Sequence, residues 1–539
     1  MYIYDNEIQT NAKRLQLDAD TLTYFSNRIK QDNKWVKQYR TLLLEIDQSE
    51  HHNLCISFEE TARVTPTART EIAALLYKDD ERTPAQRHVY TFPRSGPTDE
   101  CQKPRFVPIW SVLYESLQFP LLFYFGEPGW SPGWHGDNKK SRTLSTTGKP
   151  VQIFHYCRQR LLCEPAFQII STLAQEHACD SYARQDDIVL SYCDKQLPKK
   201  RLTTLNAINQ APPEATVGKR LPVSFHGAPA NRKRKQLDAM AVVTRMGKPH
   251  LMVTFTANPK WPEIVENLHK GQTGMDRPDL VNRVFKMKLR SLLADLKNNL
   301  FGKMHYMLYV IEYQGRGCVH AHIIIKFEGP SPEQLKEVDK WIWTNLPDDS
   351  IANGELRKKV LQYMVHKKCG TFNPSAPGMK TDPKTKRKYC KMHYPQPFRS
   401  SLALNEKSGR AEYRRLDNND SATIKCKNGE NKTVEATIDN RSIVPYNPYL
   451  IMKYDCHICV DMVTGKAVIA YLYKYTYKPA DSTRAKVTYN GNEIEAYRSV
   501  RYISSSEAMW HIFGFRSQER VPAVVLLFAH LQGEQPVVP

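Results

Sequence analysis

The amino-acid sequence predicts an α+β fold in which a mostly helical N-terminal region precedes a compact alternation of strands and helices. Three observations predict this class. Residues 1–80 are polar and include an amphipathic stretch around Leu22 to Leu44. The segment after Gly247 alternates between apolar runs typical of strands and runs with helical periodicity. Two of its strands are separated by a short glycine-containing turn, the pattern of an antiparallel hairpin.

The chain is strongly basic, but otherwise it has the composition of a folded protein. It has 539 residues and a formal net charge of +21, which favours polyanions and makes nucleic acid the default partner. Hydrophobic residues make up 41% and aromatic residues 10%, which excludes a disordered polycation. The length allows roughly two to four domains. The positive charge is therefore expected on a folded body.

Cysteine usage and hydropathy indicate the compartment. The twelve cysteines are irregularly spaced, as reduced thiols of intracellular proteins are. The first residues, MYIYDNEIQT, lack the pattern of a secretory signal. The longest apolar run, at 521–531, is shorter than the ~20 residues that span a bilayer. We expect an intracellular protein that is not secreted and has no membrane partner, located in the nucleus or, before import, in the cytoplasm.

The first half of the chain contains predicted helices, turns and basic clusters. Residues 81–150 are rich in proline, glycine and aromatics, which predicts ordered loops. Residues 152–193 have apolar residues at helical spacing and predict two helices. A basic connector follows and ends in Arg232-Lys233-Arg234-Lys235. This cluster is interpreted as a phosphate-backbone contact or a nuclear import signal, with a solvated charged face as the alternative.

The second half has a clear order of elements. LMVTFTA at 251–257 predicts a strand, and residues 279–299 predict a long amphipathic helix. Residues 304–314 and 318–327 predict the two strands of the hairpin. Ser331-Pro332-Glu333 predicts the start of another helix, because serine favours the cap and proline the first position.

Two histidines on the second hairpin strand are candidate metal ligands. His320 and His322 are two residues apart, so the period of a strand places both imidazoles on one sheet face. Glu312 and Gln314 are also two apart on the partner strand, and the hairpin can bring one of them across as a third ligand. Such a mixed nitrogen and oxygen set suits Mg²⁺ or Mn²⁺ as well as Zn²⁺. The alternative is a pair of structural histidines.

The same histidine string is similar to that of the histidine-triad nucleotide hydrolases. Their H-x-H-x-H pattern needs a third histidine where Ile324 stands. This difference, together with the size and charge of the chain, argues against a nucleotide hydrolase.

A tyrosine pair downstream is a candidate nucleophile. Tyr471 and Tyr475 are spaced i, i+4, so they share one face of a predicted helix, with Lys474 and Lys478 nearby. The alternative is an aromatic stripe packed as core. The lysines favour a partly wet, electropositive helix.

Ordered blocks over much of the chain resemble the N-terminal part of the Helitron rolling-circle transposases, which contains a replication-initiator-like nuclease of the HUH class. Together the blocks are far more specific than a single HAH string. They are LQFPLLFYFGEPGW at 117–130, HLMVTFTANPKWPEI at 250–264, YVIEYQGRGCVHAHIIIKF at 309–327, YNPYLIMKYDCHICV at 446–460, AYLYKYTYKPADS at 470–482 and SEAMWHIFGF at 506–515.

The resemblance implies a fold, a domain order and a set of site residues. The HUH nuclease domain would be a central antiparallel sheet flanked by helices, with the histidines on the sheet and the tyrosines on a helix facing them. Four regions are predicted: a helical and loop-rich region at 1–150, a helical basic DNA-binding region at 151–245, the HUH endonuclease at 246–485, and a linker toward a helicase at 486–539. The implied metal ligands are His320, His322 and Glu312, with Gln314 as the other candidate; the implied catalytic residues are Tyr471, Tyr475 and Lys474; and the expected DNA contacts are Lys233, Arg234, Lys235, Arg316 and Lys478.

The implied activity is cleavage and transfer of single-stranded DNA. A divalent metal, Mg²⁺ or Mn²⁺, polarises the scissile phosphate, and a tyrosine attacks to leave a 5′-phosphotyrosine and a free 3′ hydroxyl. The implied partners are single-stranded DNA at transposon ends and target, and the helicase domain that the family carries on the same polypeptide. The alternative is a catalytically inactive DNA-binding protein derived from a truncated Helitron.

Some features depart from the family. The sequence has no G-x-x-x-x-G-K-[ST] phosphate loop and stops at QGEQPVVP, so we expect a fragment or a truncated copy. Gly378 stands where the family usually carries a cysteine, which weakens the interpretation of Cys369, Cys390 and His393 as zinc ligands. The Cys456-x-x-Cys459 pair lies on a predicted strand and is expected to be core.

Overall fold

A computed structural model confirms the α+β class, with a helical N-terminal stretch and antiparallel sheets. None of the helices it describes is both long and apolar enough to cross a membrane. The described residues are 18–33, 89–91, 105–132, 150–207, 221–313, 318–329, 338–366, 369, 373, 376, 378–383, 385–405, 410–427, 433–464, 493, 494, 497 and 503–525.

The helices are named here in chain order over those residues. They are α1 Ala19–Asp32, α2 Tyr114–Gln118, α3 Ile153–Cys163, α4 Pro165–Ile169, α5 Ser171–Ala207, α6 Pro229–Met246, α7 Pro262–Val265, α8 Pro278–Lys297, α9 Val338–Trp341, α10 Gly354–Tyr363, α11 Pro448–Tyr454 and α12 Ser505–Ile512.

The strands form antiparallel pairs throughout. They are β1 Val89–Thr91, β2 Arg105–Val107, β3 Leu251–Thr256, β4 Met304–Tyr313, β5 Val319–Phe327, β6 Met379–Thr381, β7 Lys388–Cys390, β8 Ala403–Leu404, β9 Ala411–Glu412, β10 Ser421–Lys427, β11 Thr433–Asp439, β12 Ile458–Met462 and β13 Gln518–Val521. Five of them form the largest sheet, in the order β12-β3-β5-β4-β13.

The chain divides into two compact units, residues 1–192 with 511–513, and residues 193–510 with 514–539. The first unit has a buried ion pair in its core. Arg184 donates from Nη1 to Glu115 Oε1 at 2.6 Å, and both side chains are fully buried. The Trp130 N–H also donates to the Glu115 carboxylate, at 2.8 Å. The three groups tie α2, α5 and the loop at Trp130 together.

In the second unit, the core covers one face of the five-stranded sheet. Alternate residues of β3 and β5 point to this face, and α8 packs against them with an apolar stripe at helical spacing. Pro278 occupies the first turn of α8, and Lys297 lies in its last turn, where a cation suits the helix dipole. The packed residues include Val253, Phe255, Ala321, Ile323, Phe285, Leu289 and Leu292.

The opposite sheet face is covered in part by α6. Val242 packs there with Tyr306, Leu308 and Ile324. The helix end is fixed to the sheet by Tyr306 Oη, which donates to the Gly247 carbonyl at 2.8 Å. The remainder of this face carries the polar residues of the candidate site.

The predicted elements of the second unit are confirmed within one or two residues, because strand alternation and helical periodicity are strong along this segment. The prediction of two helices over 152–193 is wrong: α3, α4 and α5 occupy that span, because Pro165 starts a separate short helix. Of the two cysteines expected in the core, Cys456 is buried just before β12, whereas Cys459 on β12 is only partly buried. The helix start at Ser331 lies outside the described residues. The four-region domain organisation stays a prediction.

Candidate metal centre and adjoining cleft

The register of the hairpin places three candidate ligands together. β4 pairs with β5 so that Glu312 is opposite His320, and Val310 is opposite His322. Because side chains alternate along a strand, Glu312 and both histidines share one sheet face. It is the same face that α6 covers further along the strands.

The three side chains converge on one point. Nε2 of His320 lies 2.9 Å from Glu312 Oε2, and Nε2 of His322 lies 3.0 Å from the same oxygen. The imidazole centroids are 5.0 Å apart and the rings are nearly perpendicular. Both histidines are buried, and the Glu312 side chain is 14% exposed. The donor set is thus two imidazole nitrogens and one carboxylate oxygen.

The other nitrogens of the two histidines have different surroundings. Nδ1 of His322 lies 3.2 Å from Thr254 Oγ1 on the neighbouring strand β3. A partner on Nδ1 fixes the ring orientation and directs the Nε2 lone pair toward a ligand. Nδ1 of His320 is buried and has no hydrogen-bond partner.

The donor set fits a divalent ion. The ligand atoms of Glu312, His320 and His322 all lie within 4.8 Å of one another. Two neutral imidazoles and a carboxylate on one side leave positions free for water and a phosphate oxygen, a pattern that suits Mn²⁺, Mg²⁺ or Zn²⁺. Two imidazoles that both face a single carboxylate oxygen are the arrangement expected where a cation binds between them.

A cleft adjoins this centre. A cavity of about 260 Å³ separates α6 from β4, β5 and β13, and His322 is part of its wall. Lys235, Arg516 and Arg520 also line it, together with Glu519. Burial, followed by the charge of Arg520, lowers the pKa of Lys235. An anion bound beside Lys235 would favour its charged form.

Two acidic groups moderate the charge of the cleft. Asp238 of α6 accepts a hydrogen bond from Arg520, and Glu519 accepts one from Tyr309 Oη at 3.1 Å. Lys235, Arg516 and Arg520 outnumber the carboxylates of Glu519 and Asp238, so the cleft keeps a small excess of positive charge.

The predicted site residues have different outcomes. Glu312 lies with His320 and His322. Lys235 lines the cleft, whereas Lys233 and Arg234 are exposed on α6. The other predicted residues lie outside the described part of the chain: Gln314, Arg316, Tyr471, Lys474, Tyr475 and Lys478.

The sequence did not reveal three residues that the structure brings to these sites. Thr254 on β3 contacts His322 on β5. Arg516 lines the cleft although it lies almost two hundred residues after His322 in the sequence. His366, rather than His393, lies with Cys369 and Cys390. The His366-x-x-Cys369 spacing was the available signal, because metal ligands often stand three residues apart.

Comparison with known proteins gives one family match. Residues 153–325 match the family described as the Helitron helicase-like domain at the N-terminus. This span includes β3, β4 and most of β5, and therefore all three converging ligands. It ends before the tyrosine pair. No curated protein matches the chain. Residues 153–325 are thus similar to the Helitron helicase-like N-terminal domain, which confirms the resemblance to Helitron transposases.

Proposed function

We propose that this protein is a metal-dependent HUH endonuclease and strand transferase that acts on single-stranded DNA of a Helitron-like transposon. The observation that carries the proposal is the convergence of His320 and His322 on Glu312. A nuclease needs such a centre, whereas a protein that only binds DNA has no chemical use for three polar groups held together on a sheet face.

The three residues would hold Mg²⁺ or Mn²⁺ through the Nε2 atoms of His320 and His322 and the Glu312 carboxylate. When bound, the ion supplies Lewis acidity toward a phosphate oxygen. Thr254 would keep His322 in the tautomer with the proton on Nδ1, which leaves Nε2 as the ligand.

The tyrosines would supply the covalent chemistry. In the proposed step, the hydroxyl oxygen of Tyr471 or Tyr475 attacks the phosphorus and loses its proton. The bond between phosphorus and the 3′ oxygen breaks, and that oxygen takes up a proton to leave a free 3′ hydroxyl. The chain then holds a 5′-phosphotyrosine, which conserves the bond for transfer. Lys474 is the proposed positive neighbour of the two hydroxyls.

The basic cleft supports a nucleic-acid substrate. Lys235, Arg516 and Arg520 line the wall that also contains His322. Phosphates of a strand lying there would neutralise these cations and deliver a phosphate toward the centre. Lys233 and Arg234 extend the positive charge along the exposed side of α6.

The test is a cleavage assay with the full chain. End-labelled single-stranded oligonucleotides that tile the DNA flanking the coding sequence are incubated with Mn²⁺ or Mg²⁺ and resolved on denaturing gels. We expect a covalent protein–DNA band that the Tyr471→Phe/Tyr475→Phe double variant and the His320→Ala variant lack. Matched controls are Tyr473→Phe, between the two tyrosines, and His305→Ala, an exposed histidine on β4.

The single tyrosine variants rank the two nucleophiles. Retardation of DNA without any covalent band, in the wild type and with both metals, would overturn the nuclease proposal in favour of a DNA-binding protein that has lost activity. A covalent band that persists in the double tyrosine variant would show that another residue is the nucleophile.

A further inference from the structure

We propose a second metal site of different chemistry, in which His366, Cys369 and Cys390 bind a zinc ion. It lies in the segment between β5 and β12, outside the Glu312, His320 and His322 centre. The donor atoms of the three residues lie within 4.8 Å of one another. Cys390 Sγ is 3.4 Å from His366 Nε2. Ligand atoms around tetrahedral zinc are about 3.5 Å apart, given metal–ligand bonds of about 2.0–2.3 Å, so the cluster has the size of a zinc site.

Distant parts of the chain position the donors. The His366 N–H donates to the Ser442 carbonyl at 2.9 Å, which fixes the backbone just after α10. The imidazole of His366 stacks on Tyr394 at 4.2 Å between centroids. Cys390 ends β7, where it pairs with Met379 of β6. The hairpin and the stacked ring therefore hold two of the three donors in place.

The sulfur atoms are suited to a soft metal. Cys369 and Cys390 form no disulfide and are 8% and 3% exposed. The Met392 N–H donates to Cys390 Sγ at 3.3 Å, which helps to orient the sulfur. Two thiolates and an imidazole select zinc over Mg²⁺ or Mn²⁺, the reverse of the preference of a carboxylate-containing set.

Three candidate ligands converge at this site among the described residues. A Cβ atom at Gly378 would lie 2.7 Å from Cys369 Sγ. The sulfur therefore fills the space that a side chain at position 378 would need. Residues 367–377 contain no other cysteine, histidine, aspartate or glutamate. No fourth histidine, cysteine or carboxylate reaches the cluster within the part of the chain that the structure describes, so water or another small ligand would take the fourth position. Bound zinc would tie the end of α10 to the β6–β7 hairpin.

Cobalt substitution of the full chain tests this site separately from the nuclease centre. A thiolate bound to Co²⁺ gives a near-ultraviolet charge-transfer band, and the Glu312, His320 and His322 set has no sulfur to produce it. We expect the band, and one tightly held zinc ion by elemental analysis, in the wild type and in His320→Ala/His322→Ala. Both signals should be lost in Cys390→Ser and His366→Asn.

Two controls share the chemistry but lie outside the cluster. Cys163→Ser removes an exposed thiol, and His393→Asn changes the neighbouring histidine to a residue that tolerates its positive φ of 61°. Both should retain the band. Zinc removal from the wild type by a chelator should increase hydrogen exchange in peptides covering 354–394, reversibly, which tests the site without any substitution. Absence of the band in the wild type, or an unchanged band in Cys390→Ser, would overturn the proposal.

Discussion

Thr254 Oγ1 lies 3.2 Å from Nδ1 of His322, on the opposite side of the ring from the nitrogen that meets Glu312. The hydroxyl comes from the adjacent strand β3, whose register places Thr254 opposite His322. The contact links the candidate centre to the middle of the sheet, so the position of the imidazole depends on three strands.

Removal of this hydroxyl is expected to weaken metal binding. Thr254→Val keeps the shape of the side chain but leaves His322 Nδ1 without its oxygen partner, which should lower Mn²⁺ affinity about 10-fold or more. Calorimetric titration with Mn²⁺ measures it. Thr256→Val is the matched control, because Thr256 Oγ1 faces His457 at 3.5 Å instead. Equal affinities in both variants and the wild type would refute a positioning role for Thr254.

Replacement of the ligand carboxylate should have a larger effect. Glu312→Gln keeps the size of the side chain and removes the charge that attracts a divalent ion, so stabilisation by Mn²⁺ should disappear. In the wild type, an ion at about 100 times its dissociation constant adds about 2.7 kcal/mol to the free energy of unfolding. Thermal melts with and without Mn²⁺ compare the two proteins. A metal-dependent increase of equal size in Glu312→Gln would exclude this carboxylate as a ligand.

The cleft should contribute to binding of single-stranded DNA through Lys235. Lys235→Met retains the aliphatic part of this α6 side chain but removes the ammonium group that would contact a phosphate. We expect weaker binding of single-stranded DNA. The slope of log K against log [salt] should become less steep by about 0.7 to 1. Fluorescence anisotropy over a salt series measures both. Lys303→Met is the control, because Lys303 is 72% exposed and pairs with Glu328 away from the cleft. If Lys303→Met weakens DNA binding equally, the effect reflects only the lower net charge of the protein and not a contact in the cleft.

The buried pair of the first unit should control its stability. Arg184→Met leaves the Glu115 carboxylate buried without its guanidinium, which should cost about 3–5 kcal/mol of unfolding free energy. Urea unfolding measures the loss of unfolding free energy. Hydrogen exchange of peptides from residues 105–195 shows that the loss is in the first unit. The double variant Arg184→Met/Glu115→Gln should recover part of it, since no buried carboxylate is then left without the guanidinium. A loss of unfolding free energy below about 1 kcal/mol in Arg184→Met would contradict a stabilising role for this ion pair.

The same pair predicts a pH dependence. Burial alone would raise the pKa of Glu115, but the charge of Arg184, with smaller contributions from His177 and the Trp130 N–H, lowers it to about 2. Because the folded-state pKa lies below the unfolded value, the stabilisation is complete above about pH 4.5 and is lost as the pH falls toward about 2. Glu115→Gln should therefore flatten the acid side of the stability profile. A profile unchanged by this substitution would refute the prediction.

The sequence by itself determined the α+β class, the strands of the hairpin and the common face of His320 and His322, because these follow from the local periodicity of a strand. It also determined the family resemblance, through ordered blocks. It left Glu312 and Gln314 as alternatives, since residues two apart on a strand share a face. The hairpin register places Glu312 opposite His320, whereas Gln314 lies outside the described residues.

Only the tertiary structure decided which residues meet across long sequence separations. The register of β4 with β5 brought Glu312 to the two histidines, the pairing of β3 with β5 added Thr254, and the packing of α6 beside β13 turned Lys235 toward the cleft and left Lys233 exposed. Tertiary packing also decided that His366, and not His393, lies beside Cys369 and Cys390. This depends on where α10 ends and on how the β6–β7 hairpin folds back. Such contacts arise from packing between distant segments, and local periodicity carries no information about them.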